Sequence, residues 1–288
     1  MELRAPAKIN LSFRILRRRE DSFHEIETLM APLSLADEIT LQRLEASGSV
    51  EFSCDDPTVP AGDDNLVVRA ARAFFAATGR GEGVRIELRK RIPHGAGLGG
   101  GSSDAATVLL GLHRLFEPKL PREKLVELAA ALGSDVPFFL YESVAFCRGR
   151  GELVEPVPAF PALPLLLLKP PFGVPTPWAY SRWRDSQELS GIRYTPQQWE
   201  GLTFANDLER PVFEKHLFLA HMKTWLLAQP EIAVALMSGS GSTMFAVLRD
   251  KAAAEAVGAR ARVELDPEIW TCACETRAGT PPPSTGRG

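Results

Sequence analysis

What the 288 residues lack narrows the field first. No apolar run approaches the ~20 residues that a membrane-spanning helix needs. The most apolar stretch, Leu163 to Leu168, is broken by Pro164 and closed by Lys169 and two prolines. It reads as a buried strand. Cysteines are few, at Cys54, Cys147, Cys272 and Cys274. Their spacing fits no zinc pattern, so they read as reduced thiols, and with no signal peptide the chain is expected in the cytoplasm. Neither sign of charge dominates: 33 Lys and Arg face 36 Asp and Glu, a formal net charge of -3. That is the opposite of the basic footprint of a nucleic-acid binder. Arg17-Arg18-Arg19 and Arg89-Lys90-Arg91 read as solvated strand ends or loops. Neither nucleic acid nor a membrane is an expected partner. Also missing are the Gly-Lys dipeptide of a Walker A loop and the His-Arg-Asp and Asp-Phe-Gly motifs of protein kinases.

What is present divides into strands first, then helices, then a mixed second half. Ile9, Leu11, Phe13 and Ile15 alternate as a strand with one apolar face. Further strands are expected at 26–33, 38–44, 50–53 and 84–92. Asn65 caps a helix over 66–78 that Gly79 ends. A glycine-rich loop leads into a helix over 103–116, and Pro121 opens another that stops at Gly133. Residues 138–147 read as strand. Four prolines crowd into 155–164 and mark a boundary. Beyond it come a strand at 165–169, a helix begun by Thr176-Pro177, a long helix over 207–228, strands at 232–237 and 243–248, a helix over 251–261 and a strand at 269–274. The pattern is α+β, not regular βαβ alternation. Two domains are expected, 1–155 and 156–277, with 278–288 as a disordered tail rich in Pro, Gly, Ser and Thr.

The most informative segment is Pro93-His94-Gly95-Ala96-Gly97-Leu98-Gly99-Gly100-Gly101-Ser102-Ser103. Five glycines in seven residues cost backbone entropy on ordering, and a chain tolerates that where backbone must approach something closely. The loop opens a helix whose first N–H groups lack partners, and with the helix dipole they suit a phosphate. A plain turn needs one glycine. Gly95-x-Gly97-x-x-Gly100 matches the dinucleotide fingerprint formally, but a Rossmann unit needs a parallel strand next, and a second helix follows here.

The loop resembles the nucleotide loop of the small-molecule kinases named for galactose, homoserine, mevalonate and phosphomevalonate. Ala5-Pro-Ala-Lys-Ile-Asn-Leu11 resembles their N-terminal motif, and Met237-Ser-Gly-Ser-Gly-Ser-Thr243 their C-terminal glycine motif. Within that superfamily, Lys8-Ile-Asn10-Leu11, Asp21-Ser-Phe-His24-Glu25, Gly133-Ser-Asp135-Val-Pro-Phe138, Pro175-Thr176-Pro177 and Asn206-Asp207-Leu208 are similar to the 4-diphosphocytidyl-2-C-methylerythritol kinases. The similarity runs from about residue 3 to residue 275. Two departures stand out. Ser22-Phe23 replaces the usual Gly-Tyr, and Ser134 replaces the usual Ala. The resemblance implies a two-domain small-molecule kinase fold, with ATP and acceptor sites in the cleft between domains. It implies ATP-dependent phosphorylation of the 2-hydroxyl of 4-diphosphocytidyl-2-C-methyl-D-erythritol, in the non-mevalonate route to isoprenoid precursors. The alternatives are a kinase of homoserine or mevalonate type and a nucleotide-binding regulator without catalysis.

Roles follow from the same resemblance. Asp135 is the expected catalytic carboxylate, taking or steering the acceptor's proton. Its neighbours are so apolar that a carboxylate there needs a partner or a task. Lys8 is its expected partner, on one strand face with Asn10. Residues 93–103 hold the nucleotide. The cytidine end of the acceptor falls to Phe23, His24 and Tyr180, the base lying between two aromatic rings. Asn10, Thr176, Gly239 and Gly241 complete the acceptor site. Mg²⁺ is expected with ATP, with no protein ligand fixed beyond the options Ser102 and Ser103. The partner is a small molecule bearing a cytidine diphosphate group, and the chain is expected to be a monomer or weak homodimer.

Overall fold

A computed structural model describes residues 1–45, 48–118 and 120–277. In chain order the elements are β1 (Glu2–Arg18), β2 (His24–Leu44), β3 (Val50–Cys54), α1 (Leu66–Thr78), β4 (Gly83–Arg89), α2 (Gly100–Phe116), α3 (Arg122–Leu132), the single turn α4 (Val136–Phe139), β5 (Ala145–Gly149) and β6 (Leu153–Pro156). There follow β7 (Pro164–Lys169), α5 (Thr176–Arg182), β8 (Gln197–Trp199), β9 (Leu202–Asn206), α6 (Glu209–Lys215), α7 (Leu217–Leu227), β10 (Ile232–Met237), β11 (Met244–Leu248), α8 (Ala254–Glu264) and β12 (Trp270–Glu275). The fold is α+β, as the order of apolar patterns predicts. The tail expected at 278–288 lies outside the described residues.

Two sheets carry the fold. The larger has the order β3-β4-β2-β1-β9-β8, with β5 on β2 and β6 on β5. The smaller has the order β10-β11-β7-β12. Although β8 and β9 come late in the chain, β9 joins the first sheet by pairing parallel with β1 at Ser12–Ala205 and Phe13–Asn206. Ile9 and Leu11 meet Leu165, Leu167, Val234 and Phe245 in the layer between the sheets. Phe74, Val108, Leu112 and Ile86 fill a core beneath α1 and α2. Phe213, Met222, Leu226 and Val257 fill a third beneath α6, α7 and α8.

Local signals set several boundaries. Asn65 Oδ1 accepts the Val67 N–H at 2.8 Å, and Gly79 closes α1 at φ +63°. Strand β4 ends three residues before the expected Ile92, because Asp37 Oδ1 takes the N–H groups of Arg91 and Ile92 at 2.5 and 2.9 Å. Asp37 also binds Lys90 Nζ at 2.5 Å, which reaches Asp104 Oδ2 at 2.9 Å. Burial pushes the Asp104 carboxyl well above its usual range, and Lys90 only partly offsets it. The cluster ties the end of β4 and the first turn of α2 to β2, anchoring the glycine loop at both ends.

Some expectations are corrected. The strands expected at 26–33 and 38–44 are one strand, β2, which pairs β5 along its first part and β4 along its last. Residues 138–147 begin as the helical turn α4, opened by Pro137, before β5. The long helix over 207–228 is two, broken at His216 (φ -110°, ψ 71°).

Candidate active site

The first strand places Lys8 and Asn10. Its register against β2 shifts between Pro6 and Lys8 and again between Asn10 and Ser12. Such bulges re-aim side chains. Lys8 is 4% exposed, Asn10 2% and Thr28 1%, so each polar group must be answered from inside. Lys8 Nζ donates to Asn10 Oδ1 at 2.8 Å, Asn10 Nδ2 to Thr28 Oγ1 at 2.9 Å, and Thr28 Oγ1 to the Ser12 carbonyl at 2.6 Å. The relay takes one of the ammonium's three N–H groups, and Asp135 Oδ2 lies 3.4 Å from the nitrogen. An aspartate at a helix start ordinarily caps it; Asp135 opens α4 yet makes no cap hydrogen bond. Its side chain is 35% exposed and lines the adjoining cavity.

The glycine loop packs against this strand. The Lys8 N–H donates to the Leu98 carbonyl at 2.9 Å. A methyl group at Gly99, which has φ +70°, would stand 2.9 Å from Lys8 Cγ and 3.1 Å from Phe139 Cζ. Gly97 (φ +75°) is tighter still: a Cβ there would lie 2.5 Å from the Ser238 carbonyl oxygen and 2.8 Å from that of Gly241. Two glycine loops from opposite halves of the chain therefore meet backbone to backbone. Ser238 Oγ donates to the Gly97 carbonyl at 3.0 Å, and Thr243 N–H to that of Ala96 at 3.2 Å. Gly239 stands over the ammonium, its Cβ position 3.4 Å from Lys8 Nζ and 3.3 Å from Asn10 Oδ1.

A cavity of about 780 Å³ opens in front of these groups, within the range of small-molecule sites. Lys8, Asn10, Phe23, His24, Asp135, Thr176, Tyr180 and Gly239 all line it, and from the first glycine loop and the start of α2 Gly97, Gly99 and Ser102 do. Ala96, Leu98 and Ser103 turn their side chains into the body of the protein. They offer a ligand only backbone. Pro93, His94, Gly95, Gly100, Gly101 and Gly241 are not on this lining, and His94 and Gly95 lie exposed at the outer edge of the loop.

The aromatic end is arranged as follows. The His24 ring lies 5.1 Å from that of Tyr180, tilted by 33°. Burial, then the charges of Arg18 and Arg184, hold His24 below its ordinary value, so near neutral pH it is an imidazole with one donor and one acceptor nitrogen. Burial, then the nearby Asp135 charge, pushes the Tyr180 phenol up. Phe23 is 48% exposed, a large apolar ring held out at the cavity mouth. The Arg150 guanidinium sits over it at 4.7 Å. Ser22, where the kinase pattern has Gly, keeps a left-handed φ of +68° at a cost of about 1 kcal/mol, partly offset as Asp21 Oδ1 accepts the Phe23 N–H at 3.1 Å.

Sequence reasoning missed Thr28, which ends the lysine relay, and Ser240, whose hydroxyl meets that of Thr176 at 2.8 Å. It also missed Arg18, Arg150 and Arg184 on the cavity wall. The alternation along β2 could have shown Thr28 on an otherwise apolar face. The arginines carry no local signal, since a surface arginine is the commonplace case. Among the described residues no cluster of three or more His, Cys, Asp or Glu is placed to hold a metal ion, and no helix is long and apolar enough to cross a membrane.

Comparison with known proteins places this geometry. The model of the GHMP kinases N terminal domain matches residues 65–143, and that of the GHMP kinases C terminal matches residues 197–264. A 4-diphosphocytidyl-2-C-methyl-D-erythritol kinase of Methylacidiphilum infernorum (isolate V4) is 47% identical over 245 residues, covering 84% of either chain. One of Geobacter metallireducens is 40% identical, covering 85% of this chain and 88% of that one. Among solved structures, a 4-(cytidine 5'-diphospho)-2C-methyl-D-erythritol kinase superposes with a TM-score of 0.80 at 37% identity, over 96% of this chain and 100% of the other. A homoserine kinase from Cytophaga hutchinsonii shares the fold, with a TM-score of 0.66 at 18% identity over 95% of this chain and 94% of that one. The two glycine loops closing on a Lys–Asp pair thus sit in a chain that belongs to the 4-diphosphocytidyl-2-C-methyl-D-erythritol kinases, a family of the GHMP kinases.

Proposed function

We propose that this chain transfers the γ-phosphoryl group of ATP to the 2-hydroxyl of 4-diphosphocytidyl-2-C-methyl-D-erythritol, with Lys8 and Asp135 at the reacting atoms. The observation that carries the reading is the Lys8–Asp135 contact of 3.4 Å, set where both glycine loops converge. The acceptor hydroxyl attacks the γ-phosphorus, the bond from that phosphorus to the bridging oxygen breaks, and ADP leaves with the electron pair. The acceptor's proton passes to Asp135. In a loose transition state the proton moves late, so orientation of the hydroxyl matters more than base strength. Lys8, fixed by Asn10 and Thr28, presents positive charge to the transferring oxygens without reorganising.

The nucleotide phosphates lie against the start of α2, where unpaired N–H groups and the helix dipole favour anions. Mg²⁺ is the ordinary companion of ATP and shields phosphate charge when bound. Ser102, a hydroxyl on the cavity wall beside the loop, would hold it, with phosphate oxygens and water as the other ligands. The two halves of the chain, 1–155 and 156–277, supply opposite walls of the cleft, though β9 crosses back to β1.

The cytosine stacks on the free face of the Phe23 ring, with Tyr180 across from it and the neutral His24 reading its edge. Stacking of a base on an aromatic ring is worth about 1–3 kcal/mol. Phe23→Ala should therefore raise KM for the cytidine acceptor about tenfold or more and leave KM for ATP within about twofold. Steady-state kinetics with each substrate varied in turn check this. An unchanged acceptor KM would remove the base from this cleft and favour an acceptor without one, as in the homoserine or mevalonate type.

A further inference from the structure

Strand β10 is an edge of the smaller sheet, and an open strand edge leaves every second residue's N–H and C=O without a ladder partner. On this edge side chains take the place of a strand. Gln197 Nε2 donates to the Ala235 carbonyl at 2.7 Å, and Gln197 Oε1 accepts the Ala235 N–H at 3.2 Å. Two residues on, Glu209 Oε1 accepts the Met237 N–H at 2.9 Å, while Glu209 Oε2 is held by Lys223 Nζ at 2.5 Å. Asn206 Nδ2 donates to the Met237 carbonyl at 2.7 Å and, beyond the strand, to that of Gly239 at 2.8 Å. Asn206 Oδ1 accepts the Leu208 N–H at 2.9 Å, which fixes which end of the amide faces the loop. Gln197, Asn206 and Glu209 are respectively 2, 7 and 1% exposed, so none of these bonds competes with water. All three lie on or beside the β8–β9 hairpin that extends the first sheet, and they zip it to the second.

We infer that Asn206 is a positioning residue for phosphoryl transfer, fixing the second glycine loop over the Lys8 ammonium. Its two N–H bonds straddle Ser238, the residue whose hydroxyl grips the first glycine loop through the Gly97 carbonyl. Its second bond ends on Gly239, where an added Cβ would lie 3.4 Å from Lys8 Nζ and 3.3 Å from Asn10 Oδ1. Its neighbour Asp207 ties the same segment to the catalytic strand, Oδ2 accepting the Ile15 N–H at 2.8 Å and the Asp207 N–H reaching the Phe13 carbonyl at 3.0 Å. One short segment thus indexes β1, which carries Lys8, against the loop that lies above Lys8. Gln197 makes the same kind of contact at the far end of the seam, away from the cavity.

The inference rests on the kinase reading, and the test separates the two. Asn206→Asp sets a carboxylate against two carbonyl oxygens; Gln197→Glu sets one against Ala235. Both variants should lower Tm. Only Asn206→Asp should lower kcat, by about a hundredfold, since a displacement near 1 Å of a positioned group can cost that much, with the acceptor KM within about threefold. Amide hydrogen exchange should quicken across 238–242 in Asn206→Asp and stay unchanged there in Gln197→Glu. Asn206→Ala, which adds no charge, carries the same comparison if Asn206→Asp does not fold. A kcat within twofold of wild type in the Asn206 variants, or an equal loss in Gln197→Glu, would make the seam purely structural. A wild-type protein inactive on every acceptor would overturn the kinase reading and the catalytic role of Asn206 with it, while the exchange comparison would still show whether Asn206 fixes the loop at 238–242.

Discussion

Asp135→Ala should lower kcat about a thousandfold, the range lost when a positioned proton acceptor is removed, while the affinity for a non-hydrolysable ATP analogue stays within about threefold. The separation follows from position. Asp135 precedes α4 and faces the cavity beside Lys8. Among the hydrogen bonds and ion pairs of the described residues, Asp135 pairs with Lys8 and none reaches the glycine loop proposed to hold the phosphates. Its side chain makes no cap bond, so removing it costs the helical turn little. The lysine stays anchored through Asn10 and Thr28. Single-turnover kinetics for the chemical step, with calorimetry for the nucleotide, check this. Nucleotide affinity lost together with Tm would make Asp135 a structural residue. A kcat within tenfold of wild type would leave the proton to water.

Gly97→Ala should act on the other substrate, weakening nucleotide binding about a hundredfold or more and lowering Tm as well. The added methyl meets two backbone carbonyl oxygens, Ser238 at 2.5 Å and Gly241 at 2.8 Å. No flexible side-chain end is there to swing aside. The residue also holds φ +75°, a conformation that costs a side chain about 1–2 kcal/mol. Overpacking of a close contact adds about 1–3 kcal/mol. The two loops must part, and the proposed phosphate site and the cover over Lys8 part with them. Gly81→Ala, which meets nothing within 4 Å at an ordinary φ, is the control and should change neither quantity. Wild-type ATP affinity in Gly97→Ala would mean that the loop contact is incidental to the nucleotide site.

The site was legible in the sequence where chemistry and backbone demand coincide. Five glycines at a helix start could be read as a close-approach loop, because glycine adopts at little steric cost the left-handed angles now seen at Gly95, Gly97 and Gly99. Lys8 and Asn10 could be placed on one strand face because side chains alternate. Their burial could not be foreseen, since β1 is covered on both faces by elements distant in sequence. The short hairpin β8–β9 escaped notice because its strands, Gln197–Trp199 and Leu202–Asn206, are too brief to show a period. Phe138 and Phe139 belong to an apolar run that a buried strand and a buried helical turn would share, and Pro137 settled it as a turn. The break at His216 has no proline or glycine to announce it. The polar seam of Gln197, Asn206 and Glu209 is a tertiary fact: only when β10 becomes an edge strand do those side chains acquire their partners.

The central claim is the acceptor, and the most direct test is ADP release by the purified protein with Mg-ATP and one acceptor at a time. The set is 4-diphosphocytidyl-2-C-methyl-D-erythritol, methylerythritol phosphate, homoserine, mevalonate and galactose. The account predicts turnover with the cytidine compound and none above background with the rest, because only that compound carries both a base for the proposed Phe23–His24–Tyr180 end and a hydroxyl for the proposed Lys8–Asp135 end. Turnover with methylerythritol phosphate at a similar kcat/KM would contradict the aromatic cleft as the seat of recognition, and turnover with homoserine, mevalonate or galactose alone would contradict the proposed acceptor.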